Sequence, residues 1–474
     1  MTKTIENKRA KEKTGCKPEA AYANAVCSLA SVCGACSFAN TPYSAQLARK
    51  NEEMRALFAE IGIDGSLVKP ILGMDNPLHY RNKVASPFAP GKRIAGGTAR
   101  EILTGMYAAG THKLVDTKGC AVENADANAV VQAIKRIMRK HNMAPYNEDT
   151  GAGFVRHVVV RVGHTSGEML VVVVTNGVEF TGAKNFCREL VKACPKVTTV
   201  VQNINMRQTN VILGEESRTL YGPGFILDSL CGVSFRISAT SFYQVNAVQT
   251  EVLYRSAIKA AALTGNETVI DAYCGTGTIG LVAASGLPHT DSDNGKALRS
   301  LGARRVIGVD NVPDAIRDAI QNAKHNGIAH AEFVCADATE FLQELAHKGH
   351  SRGVTLAADG QSRDTAAGGR PHDMALAGGG MAKGASDGGQ RAACEPLVLL
   401  MDPPRSGSTP EFLHAVKELA PSRIVYISCN PRTQVRDIRQ LQEADYRVLS
   451  VQPVDMFPHT PHVETVVLMS RRDQ

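Results

Sequence analysis

Residues 269–280 read VIDAYCGTGTIG: a short apolar run, a glycine-bearing turn and the start of a helical pattern. Glycines let the backbone come close to a ligand, and the first turn of a helix offers free N–H groups. Gly275, Gly277 and Gly280 also match the G-x-G-x-x-G spacing of dinucleotide sites, so the spacing by itself does not exclude NAD. The stretch therefore predicts a nucleotide-cofactor site at the end of a sheet strand.

Strand and helix patterns alternate around this turn from residue 238 onward. Helical patterns such as Val312–Asn326 and Arg432–Ala444 follow most of the apolar runs, which predicts a parallel sheet covered on both faces. The runs are Thr268–Asp271, Arg305–Asp310, Ala331–Asp337, Leu397–Asp402, Arg423–Cys429 and Tyr446–Val451, with Thr465–Ser470 as a final strand.

Acidic residues end the first three strands of this pattern, at Asp271, Asp310 and Asp337. An acid after the second strand can bind both ribose hydroxyls of a nucleoside, and one after the third strand can meet an adenine amino group. Three such acids in register with a glycine turn are typical of the Rossmann-like, class I methyltransferase fold. We therefore expect an α/β fold that binds S-adenosylmethionine.

The chain divides into three predicted parts and one insertion. Residues 1–25 form a basic flexible tail, residues 26–237 a cysteine-bearing segment with a central α/β domain, and residues 238–474 the methyltransferase domain. Within the central part, Phe154–Val162 and Glu168–Asn176 predict a hairpin. Residues 349–393 are rich in Gly, Ala, Asp and Ser without periodicity, which predicts a disordered insertion that the fold does not need.

Composition narrows the class of protein further. The 474 residues carry a net charge of +7, a mild excess that suits a nucleic-acid partner but is also common among ordinary enzymes. No stretch approaches the roughly 20 apolar residues of a membrane helix, and the polar N-terminus lacks an export signal. We expect a cytoplasmic monomer without membrane contact, whose twelve cysteines are reduced and suited to metal binding or catalysis.

Two motifs near the C-terminus suggest the chemistry. DPPR at residues 402–405 predicts a rigid turn that presents Asp402 to a planar base, and Arg405 replaces the aromatic residue that amino-methyltransferases stack on adenine. SCNP at residues 428–431 places Cys429 at the carboxyl end of the neighbouring strand, the ligand-binding edge of such a sheet. The alternative for Cys429 is a buried structural cysteine.

A thiol and a carboxylate are the groups that methylation of uracil carbon 5 requires. Carbon 5 is a poor nucleophile until a thiolate adds to carbon 6 and makes an enolate. After methyl transfer, a base must remove the C5 proton before the thiol leaves. Glu464, just before the last strand, is the candidate base, and its alternative is an exposed loop glutamate.

These motifs together resemble those of the RNA 5-methyluridine methyltransferases, the RumA/RlmD and TrmA group. The resemblance covers nearly the whole chain after the basic tail. The matching motifs are SFYQVN at 241–246, DAYCG at 271–275, DPPR at 402–405, SCNP at 428–431 and HVET at 462–465. The resemblance implies Cys429 as nucleophile and Glu464 as base. It also implies a methyl-donor and uracil pocket formed by Gln244, Tyr273, Asp310, Asp337 and Asp402.

The N-terminal cysteines receive a role from the same resemblance. Cys27, Cys33 and Cys36 with the distant Cys120 have a spacing that could hold zinc or an iron–sulfur cluster. The resemblance implies that they are the four ligands of a [4Fe–4S] cluster, whereas Cys16 has no assigned role. Because TrmA-type tRNA enzymes generally lack these cysteines, they favour 23S rRNA over the tRNA T-loop as substrate.

Two departures from the family pattern affect the expected RNA contacts and donor site. Many members carry an N-terminal OB-like RNA-binding domain, for which the residues before Cys27 are too few. RNA affinity is then expected from the tail and the central domain, where Arg81-Asn82-Lys83 and Arg156-His157 are candidate contacts or merely solvated surface. The ribose-binding acid is Asp310 where a glutamate is usual.

Two other classes of protein stay open as alternatives. A non-catalytic RNA-binding protein on a methyltransferase scaffold would be expected to have lost the nucleophile or the base, and both are present. A cytosine-C5 methyltransferase shares the thiol adduct, but those enzymes place the thiol in other sequence settings and need a group that protonates cytosine N3.

Overall fold

The computed structural model describes residues 27–94, 100–290, 297–351 and 396–471. The tail 1–25, Cys16 and residues 352–393 of the proposed insertion lie outside these ranges. None of the described helices is both long and apolar enough to cross a membrane. The helices are α1 (Ala30–Cys33), α2 (Tyr43–Ala59), α3 (Ala125–Lys140), α4 (Ala183–Ala193), α5 (Ala247–Ala261), α6 (Thr278–Ser285), α7 (Pro313–His325), α8 (Ala338–Ser351), α9 (Pro410–Leu419) and α10 (Pro431–Gln442).

The strands follow the predicted runs closely. They are β1 (Lys83–Arg93), β2 (Arg100–Thr104), β3 (Met106–Tyr107), β4 (Leu114–Val115), β5 (Val155–Val162), β6 (Met169–Thr175), β7 (Val197–Ile204), β8 (Glu216–Tyr221), β9 (Phe225–Leu230), β10 (Val233–Ser238), β11 (Thr268–Ala272), β12 (Pro288–Thr290), β13 (Ala297–Arg299), β14 (Arg305–Asp310), β15 (Ala331–Cys335), β16 (Leu397–Met401), β17 (Arg423–Ser428), β18 (Tyr446–Val454) and β19 (Glu464–Arg471).

A seven-stranded sheet forms the C-terminal part, in the order β15-β14-β11-β16-β17-β19-β18. Neighbouring strands are parallel from β15 to β17, whereas β19 runs antiparallel between β17 and β18. This is the class I methyltransferase fold that the strand–helix alternation predicts. The carboxyl ends of the parallel strands meet at one edge, where ligands bind in open α/β sheets.

Successive residues of each central strand point to opposite faces of this sheet, and both faces are buried. Val269, Val306 and Val425 belong to the core beneath α5 and α6, whereas Ile270 and Leu399 belong to the core beneath α9 and α10. Burial on both faces explains why these strands are continuous apolar runs and do not alternate with polar residues.

A six-stranded sheet forms the central part, in the order β2-β1-β5-β6-β7-β8, and the predicted β5–β6 hairpin is confirmed. Helices α3 and α4 cover one face through Ile134, Met138 and Leu190. The other face, including Leu170 and Val172, shares one continuous core with the β9–β10 hairpin and the methyltransferase sheet.

Helix α2 packs on the methyltransferase sheet although it precedes the central sheet in the chain. Met54, Leu57 and Phe58 join the same core as Ile424 and Ile438. The segment that follows α2 makes single β-bridges to β18, at Val68–Val451 and Leu72–Val454. The boundary at residues 237/238 stays a prediction, and the N-terminal segment lies against both parts.

Candidate active site

The glycine-bearing turn between β11 and α6 holds its backbone in left-handed conformations. Tyr273 has φ +64°, and Gly277, just before α6, has φ +75°. A Cβ atom on Gly277 would lie 2.7 Å from the Phe333 ring, so only glycine fits there. The Gly280 N–H donates to Asp271 Oδ2 at 2.9 Å, which fastens the start of α6 to the end of β11.

Carboxylates surround this turn. Burial, together with the nearby charges of Asp402 and Asp310, raises the pKa of Asp271 to about 7. Asp310 accepts the Gly275 N–H at Oδ2 and the Val312 N–H at Oδ1, both at 2.9 Å. Sequence reasoning gave Asp271 no role, although an acid ending the first strand was a signal for one. Such a concentration of carboxylates suits a ligand with positive charge, such as a sulfonium or an ammonium group.

The other predicted donor-site residues lie along the same edge in different settings. Asp337 is exposed and caps α8, since its Oδ1 accepts the Thr339 N–H at 2.8 Å. Tyr273 packs its ring 5.1 Å from that of Phe412, and burial raises the pKa of Tyr273 to about 12. Gln244 is half-buried, and its main-chain carbonyl accepts the Asn82 side-chain amide at 3.1 Å.

The turn after β16 is fastened to the start of α10. The Arg405 carbonyl accepts the Asn430 amide at 2.9 Å and the Thr433 hydroxyl at 3.3 Å. The buried Asp437 accepts the Ser408 N–H at 2.8 Å. These contacts hold Asp402 and the two prolines after it beside the loop that carries Cys429, an arrangement that sequence spacing does not reveal.

Cys429 and Glu464 meet at the junction of β17 and β19. The antiparallel register ends at the pair Ser428–Thr465, so Cys429 follows the last paired residue of β17 and Glu464 precedes that of β19. Burial raises the pKa of the half-buried Cys429 thiol, and the charges of Glu464 and Asp402 raise it further. The alternative of an exposed loop glutamate is wrong, since Glu464 is 4% exposed and begins β19.

Burial also decides the protonation of the Glu464 carboxyl. Burial and the neighbouring Asp402 charge raise the pKa of Glu464 to about 8 against the opposing effect of Arg405. Burial raises the pKa of Asp402 to about 7. A carboxyl with its pKa near neutrality can both accept and release a proton at working pH, which is the property of a general base.

Four cysteines of the N-terminal half line a common cavity. Cys27, Cys33, Cys36 and Cys120 line a cavity of about 360 Å³ that Arg81 and Lys83 also line. Burial, together with the charge of Cys120, raises the pKa of Cys36 to about 11. Within the described ranges, no three His, Cys, Asp or Glu side chains converge closely enough to hold a single metal ion.

The candidate RNA contacts differ in accessibility. Arg81 and Lys83 are half-buried, and Asn82 is buried. Arg156 is only 4% exposed, and its guanidinium donates to the Asn205 carbonyl at 2.7 Å and to the Arg207 carbonyl at 2.6 Å. The prediction of an RNA contact is therefore wrong for Arg156, which fastens the loop after β7.

Comparisons with known proteins point to a family of RNA methyltransferases. A family described as tRNA (Uracil-5-)-methyltransferase matches residues 391–472, and one described as Methyltransferase domain matches residues 263–351. A Bacillus cereus protein described as an uncharacterized RNA methyltransferase is 36% identical over 94% of this chain and 83% of its own. A relative with the same description from Halalkalibacterium halodurans is 35% identical, over 95% of this chain and 84% of its own.

One solved structure shares the fold over most of the chain. It is the Pyrococcus abyssi tRNA (uracil-54, C5)-methyltransferase in complex with S-adenosyl-L-homocysteine. The alignment has a TM-score of 0.63 and 23% identity, and it covers 92% of this chain and 85% of that one.

Proposed function

The chain belongs to the RNA uracil-C5 methyltransferase family and is an S-adenosylmethionine-dependent RNA methyltransferase. We propose that it makes 5-methyluridine in 23S rRNA through a covalent Cys429 adduct. The observation that supports this mechanism most is the closeness of Cys429 to Glu464 and Asp402 at the ends of β17 and β19, where the charges of both carboxylates raise the pKa of the thiol. A thiol and a carboxyl at one edge of a methyltransferase sheet are the two groups that uracil carbon 5 chemistry requires.

The proposed reaction has three steps. The Cys429 thiolate adds to carbon 6 of uracil, and the ring electrons move toward carbon 5. Carbon 5 then takes the methyl group of S-adenosylmethionine, which leaves S-adenosylhomocysteine. Glu464 removes the C5 proton, the C5–C6 double bond re-forms, and the sulfur–carbon bond breaks to return the thiolate.

The proposed donor pocket consists of Gln244, Tyr273, Asp310, Asp337 and Asp402. Asp310 ends β14 and pairs with Cys335, the last residue of the adjacent strand β15. Asp337 follows β15 by two residues. Each carboxylate oxygen has more than one acceptor position, so Asp310 can bind ribose hydroxyls while it accepts main-chain N–H groups. Asp402 and Gln244 would contact the uracil.

A [4Fe–4S] cluster held by Cys27, Cys33, Cys36 and Cys120 is part of the proposal. A zinc ion would need sulfur atoms converging to about 2.3 Å from one point, whereas the four cysteines line a larger cavity. Arg81 and Lys83 at the cavity wall offer positive charge to a cluster of thiolates. Hydrogen bonds from the main chain of Val122 and Glu123 lower the pKa of Cys120, whereas burial raises it. Methyl transfer needs no electron, so the cluster would hold the N-terminal segment together.

The choice between ribosomal and transfer RNA rests on the cysteines. They favour 23S rRNA because TrmA-type tRNA enzymes generally lack these cysteines, whereas the Pyrococcus abyssi structure is that of a tRNA enzyme. The central sheet, with Arg81 and Lys83 at its edge, is the proposed RNA-binding part. We expect the protein to act as a cytoplasmic monomer.

The experiment that tests this function offers both RNAs to the purified protein. Unmodified 23S rRNA and unmodified tRNA are incubated with S-adenosylmethionine, digested to nucleosides and analysed by mass spectrometry. We expect 5-methyluridine in the rRNA and not in the tRNA. The reverse result would transfer the proposal to the tRNA T-loop, and 5-methylcytidine in either RNA would overturn it.

A further inference from the structure

The loop between β18 and β19, residues 455–463, connects directly to the proposed base. The last β18 residue, Val454, pairs with the first β19 residue, Glu464, so this loop closes a hairpin at Glu464. The pair next to a hairpin loop is the first to open when the loop is not held. The position of the Glu464 carboxyl therefore depends on what holds residues 455–463.

Helix α2 holds the start of this loop through a buried ion pair. Lys50 Nζ lies 2.7 Å from Asp455 Oδ1, and both side chains are fully buried. Lys50 also donates to the Phe457 carbonyl at 3.3 Å, and the Tyr43 hydroxyl donates to Asp455 Oδ2 at 2.9 Å. A buried lysine with a single carboxylate partner on another element fixes the distance between the two elements.

Gln46, one helical turn before Lys50, holds the middle of the loop. Its Oε1 accepts the His459 N–H at 2.9 Å, and its Nε2 lies 3.2 Å from His459 Nδ1. His459 Nε2 lies 3.2 Å from the Pro77 carbonyl, which can only accept, so Nε2 carries the proton and Nδ1 accepts from Gln46. Gln46 and His459 are both fully buried.

The same glutamine reaches the segment after the cysteines. Gln46 Nε2 also lies 3.1 Å from the Phe38 carbonyl and 2.8 Å from the Thr41 carbonyl, so its two hydrogens are shared among these carbonyls and His459 Nδ1. The Phe38 N–H in turn donates to the His459 carbonyl at 2.9 Å. The chain two residues beyond Cys36 is thus bonded directly to the loop that ends at the base.

We propose that Gln46 and Lys50 are positioning residues for proton removal by Glu464. They hold loop 455–463 so that the carboxylate reaches the C5 proton of the methylated adduct, whereas addition of Cys429 and methyl transfer do not depend on them. The inference rests on the proposed function and deepens it, because it gives the N-terminal segment a part in one step of the reaction.

The step in question has a defined proton and electron balance. The Glu464 carboxylate takes the proton from carbon 5, and the C5–H electron pair forms the C5–C6 double bond. The C6–S bond breaks, and its electrons return to the Cys429 sulfur. A base displaced by about 1 Å would slow this step about 100-fold without changing the two steps before it.

The test follows both halves of the reaction in one turnover. Wild type, Gln46→Ala and Lys50→Met are mixed with S-adenosylmethionine and RNA containing ordinary uridine, then quenched at intervals. Denaturing gels separate covalent RNA–protein adduct from free methylated RNA. We expect both variants to form methylated adduct within about threefold of the wild-type rate and to release it about 10- to 100-fold more slowly.

A substitution on the exposed side of helix α2 is the matched control for the two variants. Arg55→Ala, on the exposed side of the same helix, should release product at the wild-type rate. Wild-type release by Gln46→Ala, or equal slowing of adduct formation and release, would overturn the positioning role. Lys50→Met leaves the buried Asp455 carboxylate without its lysine partner and can fail to fold. Gln46→Ala leaves no unpaired buried charge, so it tests the positioning role by itself. A wild type that methylates without adduct on 5-fluorouridine RNA would overturn the mechanism itself.

Discussion

Cys429 directly follows β17 and Glu464 begins β19, and the antiparallel pairing of these strands brings the carboxyl close enough to raise the pKa of the Cys429 thiol. The pairing depends on β19 inserting antiparallel between β17 and β18. Because the carboxyl lies close enough to the thiol to shift its pKa, the two groups can act on adjacent carbons of one pyrimidine ring.

Glu464→Gln should separate methyl transfer from product release. The amide cannot remove the C5 proton, so the methylated adduct should accumulate on ordinary uridine RNA, with release slowed at least about 100-fold. The adduct is measured on denaturing gels after a single turnover. Glu443→Gln, on the α10 side of the sheet, is the control, and free turnover by Glu464→Gln would remove this residue from the mechanism.

Adduct breakdown should depend on pH through Glu464. Burial raises the pKa of this carboxyl to about 8, so the fraction of ionised base grows with pH up to that value. Breakdown of preformed adduct should accelerate about tenfold per pH unit below about 8 and level off above it. A rate that is flat between about pH 6 and pH 9 would contradict a base with a raised pKa.

Gly277→Ala should weaken methyl-donor binding. The new Cβ would meet the Phe333 ring at 2.7 Å in a left-handed backbone, which costs about 1–3 kcal/mol of folding free energy beyond the backbone strain. S-adenosylmethionine affinity by calorimetry should fall at least about tenfold.

Gly327→Ala provides the matched control for that substitution. Gly327 has φ +66° with nothing within 4 Å of the added Cβ, so only the backbone strain of about 1–2 kcal/mol is expected. Urea unfolding measures both variants. Equal losses of folding free energy and unchanged donor affinity in both would show that the Gly277 contact is unimportant.

Cys36→Ser should remove the proposed cluster. The wild type, purified without oxygen, should be brown and hold about four irons per chain, and the variant should lose most of both. Cys187→Ser, a buried cysteine of α4 in the central part, should keep the iron. Zinc without iron in the wild type would refute the iron–sulfur assignment.

The strands and the edge that carries the site could be predicted because their residues make local patterns. Buried parallel strands are continuous apolar runs, and the glycine turn after Asp271 marks the carboxyl end of the first one. The run Thr465–Ser470 indicated a strand but not its direction. The β18–β19 hairpin sets that direction, which brings Glu464 next to the end of β17, where Cys429 follows.

The contacts of polar residues buried in the core could not be predicted. Gln46 and Lys50 of helix α2 appear in the sequence as ordinary polar positions. Their partners, His459 and Asp455, lie more than 400 residues away in the chain. Arg156 was misread for the same reason, since main-chain carbonyls that only the fold brings near satisfy its guanidinium.

The most direct test of the account identifies the atom that bonds to the RNA. The protein is incubated with S-adenosylmethionine and 5-fluorouridine RNA, in which the fluorine at carbon 5 cannot leave as a proton, and the trapped complex is digested and sequenced by mass spectrometry. We predict a methylated fluorouracil nucleotide on Cys429, and no complex with Cys429→Ala while Cys335→Ala still forms it. A bond to any other residue, or undiminished trapping by Cys429→Ala, would contradict the central claim.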